Sequence, residues 1–185
     1  MKTKIFFLII FALLFATSCA PSKTEEEIAA EKTTFEKDSL QKLLKYLDSL
    51  ILGNRTSGNP DVKIANEAVK NQLAYAGKFP QEKDAAKYMF KASDIAINEL
   101  HQAPLSAKIL SDLINKYPDF KEMPICYFQL GMLNDNYLND TAKAKMYYKT
   151  FLEKYPNDEL AAQVKILYSL VGKSLEDIQK DNKTK

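Results

Sequence analysis

The chain has 185 residues, of which 46% are hydrophobic and 27% are charged, a composition typical of a globular protein that buries a core. Two of its 26 basic residues, Lys2 and Lys4, lie in an N-terminal segment that we expect to be removed, which leaves 24 basic and 24 acidic residues. This balance gives no electrostatic reason to expect nucleic-acid binding, which depends on an excess of basic side chains.

Residues 1–18 are predicted to be an export signal. Lys2 and Lys4 supply the positive start, and an uninterrupted apolar run of 12 residues extends from Ile5 to Ala16. A helix needs about 20 apolar residues to cross a bilayer, so this run is too short to span one. Its length suits the apolar region of a signal peptide.

The sequence Ala16-Thr17-Ser18-Cys19 resembles a bacterial lipobox, in which small residues precede a cysteine that is lipidated and becomes the mature N-terminus. We therefore predict lipidation of Cys19. Ordinary cleavage after Ala20 is the alternative, because small residues also precede that bond. The residue after Cys19 is not the aspartate that retains lipoproteins in the inner membrane of many Gram-negative bacteria. The outer membrane is accordingly the predicted location, in either its periplasmic or its surface-facing leaflet.

Residues 20–32 are polar and charged, without the apolar spacing that buries a face. We interpret residues 19–32 as the lipidated cysteine followed by a flexible tether. Within it, Ser22 to Glu27 resembles the acidic signals of surface-exported lipoproteins of the Bacteroidetes. A solvated linker is the alternative interpretation of the same residues.

The folded part is predicted to begin at Thr33, which has the capping-box spacing with Glu36. Apolar residues then recur at helical intervals up to Ile51, and Gly53 is expected to end the helix in a left-handed conformation. Asn54 to Pro60 is the most turn-rich stretch of the chain and indicates a loop. Residues 33–60 therefore form an N-terminal helix and loop.

Six further helices are predicted over residues 61–173, and their starts carry recognisable signals. Aspartates suit the helix N-terminus, and proline suits the first turn. Glycines are expected at two helix ends. No segment shows the alternation of a strand, so the fold class is all-α. The signals are Asp61, Asp140 and Asp158, then Pro104 and Pro124, then Gly77 and Gly172. Inner faces are expected to carry Ala85, Tyr88, Met89, Ala92, Ile95 and Ala96 in the second of these helices and Tyr127, Leu130, Leu133 and Tyr137 in the fourth.

Residues 174–185 are predicted to form a short capping helix and a polar tail. Ser174 and Asp177 have the spacing of a second capping box, which opens the helix.

A Lys-aromatic-Pro motif occurs three times at a constant spacing of 38 residues, at Lys78, Lys116 and Lys154. A fixed period of this length indicates stacked supersecondary units, each unable to bury its apolar face alone. Such proteins usually present a surface to a partner. When the sequence is aligned with itself at this 38-residue spacing, further positions match: Ala68 with Ser106 and Ala144, Tyr75 with Leu113 and Phe151, and Phe90 with Phe128 and Ile166.

The aligned positions resemble tetratricopeptide repeats, whose helix pairs carry Leu-Gly in the first helix, a small residue early in the second, and a proline after it. The best unit contains Tyr127, Leu130-Gly131, Ala144, Tyr148, Phe151 and Pro156. The period exceeds the family's usual length of about 34 residues, and Asn134 stands where tyrosine is expected. The resemblance implies a short tetratricopeptide-like solenoid of helical hairpins over residues 61–173. Residues 151–161 are similar to repeats of exported outer-membrane members of this family, among them the lipoprotein of the barrel-assembly machinery and the periplasmic partner of the Tol-Pal system.

The resemblance also implies that the first helix of each pair lines a concave groove that binds protein or peptide partners. An aromatic ring beside amides and charges suits an extended peptide or a partner's helix. Packing of Phe90 and Phe128 between units is the alternative for those two rings. The groove residues implied are Lys87, Phe90, Asp94 and Asn98 in one unit, and Phe128, Met132, Asp135 and Asn136 in the next.

No motif of enzymatic chemistry is recognised in the sequence. His101, the only histidine, is predicted to be a solvated turn residue, and Cys126 lies in an apolar stretch that favours a buried structural thiol. Neither residue belongs to a cluster with metal-ligand spacing, and no P-loop, Rossmann glycine pattern or nucleophile elbow is present. We therefore predict no catalytic residue, no metal and no cofactor.

The predicted function is that of an outer-membrane-anchored tetratricopeptide lipoprotein that binds protein partners in envelope assembly or maintenance. One alternative is a surface lipoprotein that binds a glycan or another nutrient beside a transporter, which requires exposed aromatic rings on one face. The other is an enzyme, which requires a deep polar cleft with paired carboxylates.

Overall fold

The computed structural model describes residues 23–58 and 61–173. These ranges contain seven α-helices and no strand, which confirms the all-α class. None of the described helices has the length and hydropathy that a bilayer crossing requires. The predicted signal peptide (1–18), Cys19 and the predicted capping helix (174–185) lie outside the described residues. The helices are α1 (Glu25–Ser57), α2 (Val62–Lys78), α3 (Ala85–Asn98), α4 (Ala103–Lys116), α5 (Met123–Asn136), α6 (Thr141–Lys154) and α7 (Ala161–Leu170).

The chain divides into two units between Asp38 and Ser39, and the described part of the first is the beginning of α1. Its helix starts at Glu25, because Thr24 and Glu27 form a reciprocal capping box. The Thr24 N–H donates to Glu27 Oε2 (2.8 Å), and the Glu27 N–H donates to Thr24 Oγ1 (3.2 Å). The predicted start at Thr33 is therefore wrong, and so is the flexible tether from Glu25 onward.

α1 also ends later than predicted. Its helix passes through Gly53 and continues to Ser57, and the left-handed residue is Gly58 (φ 68°). The predicted helix end at Gly53 is therefore wrong, and so is the predicted loop over residues 54–57. Residues 59 and 60 lie outside the described residues. Ion pairs of Arg55 with α3 hold this last turn in place, so a tertiary contact overrides the local turn signals.

In the second unit, the latter part of α1 is the first helix of a helical hairpin. Leu44, Leu47 and Ile51 are buried, and Leu44 packs with Tyr75 of α2 and Tyr88 of α3. The Gln41 amide donates to the Tyr75 hydroxyl (2.9 Å). The order is therefore three hairpins, α1–α2, α3–α4 and α5–α6, followed by α7.

The Lys-aromatic-Pro motif forms the same turn three times, after the second helix of each hairpin. The N–H groups of Phe79, Tyr117 and Tyr155 donate to the carbonyl four residues earlier at 2.8, 2.9 and 2.8 Å. Their φ angles are −125°, −130° and −130°. The proline that follows each of them has no N–H to continue the helix. The 38-residue period is thus a structural repeat.

The turns inside two hairpins also repeat. His101 (φ 54°) and Asn139 (φ 52°), which are 38 residues apart, both adopt the left-handed conformation. In each turn the next N–H donates over 2.8 Å to a carbonyl six residues earlier, from Gln102 to Ala96 and from Asp140 to Asn134. His101 is exposed, so the predicted solvated turn residue is confirmed.

Two of the predicted helix starts are confirmed by side-chain hydrogen bonds. Asp61 accepts from the N–H groups of Lys63 and Ile64, and Asp140 accepts from that of Lys143. Three positions differ from the prediction. Gly77 lies inside α2, one residue before its end, and Tyr137 is exposed at the end of α5 instead of lying on its inner face. Asp158 accepts from the Leu160 N–H before α7 begins at Ala161.

The core depends on small residues that let paired helices approach closely. Ala68, Ser106 and Ala144 are almost completely buried, as the repeat alignment predicts. Between α5 and α6, Gly131 faces Tyr148, and a Cβ atom added to Gly131 would overlap the buried tyrosine ring. The corresponding pair between α3 and α4 is Ser93 and Leu110, both buried. The hairpin with the smaller residue on its first helix (Gly131 instead of Ser93) thus has the larger residue on its second helix (Tyr148 instead of Leu110).

This size matching predicts a coupling between the two positions. Gly131→Ser should cost about 1–3 kcal/mol by overpacking against Tyr148. Adding Tyr148→Leu reproduces the Ser93–Leu110 pair, so part of the loss should return, with a coupling energy of about 0.5–3 kcal/mol. Urea unfolding of the two single variants and the double variant measures this. Strictly additive single-variant losses would contradict the size matching.

Cys126 is fully buried in α5, which confirms the predicted structural thiol. Burial, together with the charge of Glu122, raises its pKa from 9.0 to about 12. Burial and the charge of Asp135 raise the pKa of Tyr148 from 10.0 to about 12. Both groups therefore remain protonated in the folded protein over a range where the unfolded chain ionises.

These raised pKa values predict alkaline unfolding. Stability from a group with a raised folded pKa is complete below its unfolded pKa and is lost as the pH rises through the folded pKa. The melting temperature should therefore fall between about pH 9 and pH 12, as circular dichroism can measure. Relative to wild type, Cys126→Ala should make the decrease in melting temperature smaller at the start of this pH range. Tyr148→Phe should make it smaller in the later part of the range. Variants with the wild-type pH dependence would contradict this origin.

Candidate functional site

The eight residues implied as groove residues lie on the first helices of the second and third hairpins. Three pairs hold the same repeat position on α3 and α5: Phe90 with Phe128, Asp94 with Met132, and Asn98 with Asn136. Each helix therefore presents a corresponding face. The surroundings of the two faces differ, because α1 contacts the one on α3.

On α3 the polar positions are engaged within the protein. The Arg55 guanidinium of α1 donates to Asp94 Oδ2 (2.6 Å) and to Glu99 Oε1 (2.5 Å). The Asn98 amide donates to Asp94 Oδ1 (2.7 Å). The hydrogen bond to Asp94, with that to Glu99, raises the pKa of Arg55. Asp94 thus binds Arg55 of α1 and Asn98 of its own helix, and the interpretation of Asp94 as an open groove charge requires correction.

A second polar contact lies about two helical turns earlier on α1. Asp48 accepts from the Gln72 amide of α2 (3.0 Å) and forms an ion pair with Lys91 of α3. Between this contact and the Arg55 contact, Ile51, Leu52 and Ile95 help to line a cavity of about 170 Å³. α1 is therefore held on α3 by apolar burial and by charges at two places.

Sequence reasoning missed Arg55, Asp48, Lys91 and Glu99, although one signal was available. Arg55 is the only arginine among 26 basic residues. Arginine is preferred where one planar group must bind carboxylates at two of its edges. Here it bridges Asp94 and Glu99, and Glu99 is only 6% exposed.

Phe90 and Phe128 are both half-buried. The Phe90 ring lies 5.9 Å from the ring of Phe120, which belongs to the turn before α5 and therefore to the next unit. Phe128 packs against the main core. The contacts of Phe90 agree with the alternative of packing between units, and each ring keeps a part of its surface exposed.

The other groove residues on α5 have different surroundings. Met132 is half-buried and Asn136 is exposed. Asp135 lies close enough to Tyr148 of α6 for its charge to contribute to the raised pKa of that phenol. Asp135 is thus associated with the interior of the hairpin, whereas Met132 and Asn136 continue the repeat positions of α3.

Lys87 lies at the edge of an open groove of about 1090 Å³. The groove runs between two copies of the Lys-aromatic-Pro turn, one containing Pro80 and the other Pro118. Its walls also carry the Phe120 ring and side chains of both charges. Lys87 itself forms no ion pair or side-chain hydrogen bond with the described residues.

The contacts of Arg55 predict a specific loss of stability. Arg55→Ala leaves Glu99 buried without its cation, so unfolding should become easier by about 1–3 kcal/mol, with solvent around Arg55 keeping the loss toward the lower end. Lys108→Ala is a matched control, because it removes a cation from an exposed pair with Asp112. That change should cost less than about 0.5 kcal/mol. Equal losses in urea unfolding would show that the Arg55 contact contributes nothing beyond an ordinary surface pair.

Comparison with known proteins agrees with the repeat geometry. Residues 126–158 match the family model described as tetratricopeptide repeat. The match extends from Cys126 through α6 to the third Lys-aromatic-Pro turn, so it covers the unit that the sequence marked as the best. A search of curated proteins finds no match. The matched unit and the recurrence of its turns at 38-residue intervals together support a tetratricopeptide-repeat protein.

Proposed function

We propose that this protein is a membrane-anchored tetratricopeptide adaptor, a lipoprotein that binds protein or peptide partners in the assembly or maintenance of the cell envelope. Repeats of this family generally mediate protein–protein binding. The observation that carries the proposal is the α5 face of Phe128, Met132 and Asn136, where Met132 holds the repeat position of Asp94, the residue that α1 contacts on α3.

The α5 face has the chemistry of a partner-binding surface. Phe128 and Met132 keep part of their apolar surface accessible, and contact with a partner would remove that surface from water. The exposed Asn136 amide both donates and accepts hydrogen bonds, which suits the backbone of an extended peptide. Because helices carry these side chains, little conformational entropy is lost when a partner binds.

α1 indicates where partner contact should concentrate. It already covers α3 near Asp94, so a partner would contact the exposed Lys87 end of α3 and the α5 face. Lys87 supplies a charge that can steer an acidic partner and set the register of a peptide. The adaptor role thus rests on a surface that combines apolar and polar groups.

The glycan-binding alternative needs several exposed aromatic rings on one face. The exposed tyrosines of the second unit belong to three different elements: Tyr46 to α1, Tyr137 to the end of α5 and Tyr168 to α7. No specific arrangement of these rings favours that alternative.

Partner binding predicts that charge changes on the first-helix face act selectively. Lys87→Glu combined with Asn136→Lys should reduce partners crosslinked in the native envelope, as measured by mass spectrometry. Both residues are exposed, so circular dichroism and melting should remain close to wild type. Asp94 is left unchanged because its replacement would disturb the Arg55 contact.

The matched control makes the same net charge change on α6. Lys145→Glu combined with Ala142→Lys alters two exposed residues of a second helix. This variant should retain the wild-type partner profile. If both variants retain it, or both lose it equally, the first-helix face is not the binding surface.

The anchor proposal rests on the lipobox-like residues Ala16 to Cys19. Cys19→Ala should abolish metabolic labelling with a fatty acid and move the protein from the membrane fraction to the soluble fraction. Ser18→Ala keeps a small residue before the cysteine and should leave both properties unchanged. Full membrane retention and labelling of the Cys19 variant would exclude lipidation at this position.

A further inference from the structure

One repeat position on the first helices carries a large apolar side chain four times. Leu52 and Ile166 at this position are 63% and 61% exposed, and the two phenylalanines are half-buried. These four residues form an apolar row across the array of stacked hairpins. Its members, at 38-residue intervals, are Leu52 of α1, Phe90 of α3, Phe128 of α5 and Ile166 of α7.

The repeat position one helical turn later changes along the array. Thr56 of α1 and Asp94 of α3 are polar, whereas Met132 of α5 and Leu170 of α7 are apolar and half-buried. Residues four apart share one side of a helix, so each of these residues lies beside a member of the apolar row. The accessible apolar surface is therefore wider on α5 and α7 than on α1 and α3.

α7 keeps the register of a first helix. Val164 and Val171 are buried, as are Cys126 and Leu133 at the same two repeat positions of α5. Since the same side is buried in both helices, the apolar row lies on corresponding faces of α5 and α7. The surface described for α5 thus continues onto α7.

The spacing of the apolar row suits a helix better than a strand. Packed helices lie about 8–10 Å apart, so neighbouring members of the row are separated by roughly that distance. Two turns of a partner helix advance about 10.8 Å, and residues about seven apart lie on one side of it. Three residues of a strand cover a similar length, but side chains about three apart point to opposite faces. A partner helix can therefore place one apolar residue against each first helix.

Backbone hydrogen bonding favours a helix over a polyproline-type peptide. Such a peptide repeats its side chains about every three residues with a rise of about 3.1 Å, but it has no internal hydrogen bonds. Its N–H and C=O groups would lose water against the apolar side chains of α5 and α7 without gaining strong hydrogen bonds. A helix satisfies these groups internally.

Charge distinguishes the two ends of the surface. Lys87 of α3 is exposed and forms no ion pair or side-chain hydrogen bond with the described residues. At the same repeat position α5 carries Ile125 and α7 carries Gln163, which are uncharged. An acidic group of a partner is therefore favoured at the α3 end.

We propose that the partner segment bound by this surface is an amphipathic helix that crosses the first helices. Its apolar residues, about seven apart, contact Phe128 and Ile166, and its acidic end lies near Lys87. This inference rests on the proposed adaptor function and narrows the partner from a peptide in general to a helix. An amphipathic helix that lays its apolar side into an apolar groove is a recurring mode of recognition.

Fluorescence anisotropy of the full chain with two labelled synthetic peptides tests the proposal. The helical peptide has a leucine at every seventh position and glutamates at one end. The extended peptide has the same leucines and glutamates, with the leucines at every third position between prolines that prevent a helix. The helical peptide should bind about tenfold more tightly, and its helicity by circular dichroism should increase on binding.

Two charge-introducing variants locate the binding surface. Ile166→Glu should weaken binding of the helical peptide about tenfold, because it places a charge against the apolar side of that peptide. Met146→Glu is the matched control, since it makes the same kind of change at an exposed apolar residue of α6, and it should bind as wild type does. Both sites are exposed, so melting should remain close to wild type.

A charge exchange tests the orientation of the helix. Lys87→Glu should weaken binding of the helical peptide, and lysines in place of the glutamates of the peptide should restore it. Lack of restoration would contradict the placement of the acidic end.

The inference is overturned if the helical peptide does not bind, if the extended peptide binds as tightly, or if the Ile166 and Met146 variants behave alike. These results are separable from a failure of the adaptor function. If the Lys87–Asn136 variant loses crosslinked partners while the helical peptide fails to bind, the adaptor function stands and the helical partner is wrong. If that variant keeps all its partners, the adaptor function itself is wrong.

Discussion

The close approach of paired helices is the constraint on which the rest of this structure depends. Gly131 against Tyr148, and Ser93 with Leu110 in the preceding hairpin, show that a hairpin accepts different residues when their sizes compensate. Ser106 and Ala144, at one repeat position on the second helices of these two hairpins, are almost completely buried, as is Ala68 on α2. Because the helices approach this closely, the following turn can return the chain in the same direction each time.

The first hairpin achieves its packing in another way. Arg55, which holds the repeat position of Ser93 and Gly131, cannot lie in a narrow helix contact and extends to Asp94 and Glu99 of α3. Asp48 adds a second polar contact through Gln72 and Lys91. α1 is therefore joined to the array by leucine burial and ion pairs. The corresponding faces of the first helices change from charged on α3 to largely uncharged on α5. This change along one repeated surface gives the array a direction that a partner can distinguish.

Residues that could suggest reactive chemistry have structural explanations here. His101 occupies a left-handed turn that is repeated at Asn139, a conformation that asparagine and histidine tolerate better than most residues. Cys126 is enclosed in the core, and burial keeps its thiol protonated by raising its pKa to about 12. A scaffold built in this way acts through the side chains that it displays on rigid helices, which is the physical basis of the proposed adaptor role.

The sequence alone determined the features that depend on neighbours in the chain. Asp61 and Asp140 cap the helices that they precede, and the Lys-aromatic-Pro turns recur because the same local chemistry recurs. Tertiary structure decided the bounds of α1 and the state of the groove residues. Gly53 lies within a helix because Arg55 anchors the turn beyond it, and Asp94 is engaged because packing brings to it a partner that is 39 residues away in the chain. Periodicity and capping describe contacts within a few residues, whereas the pairing of distant charges exists only after the helices have packed.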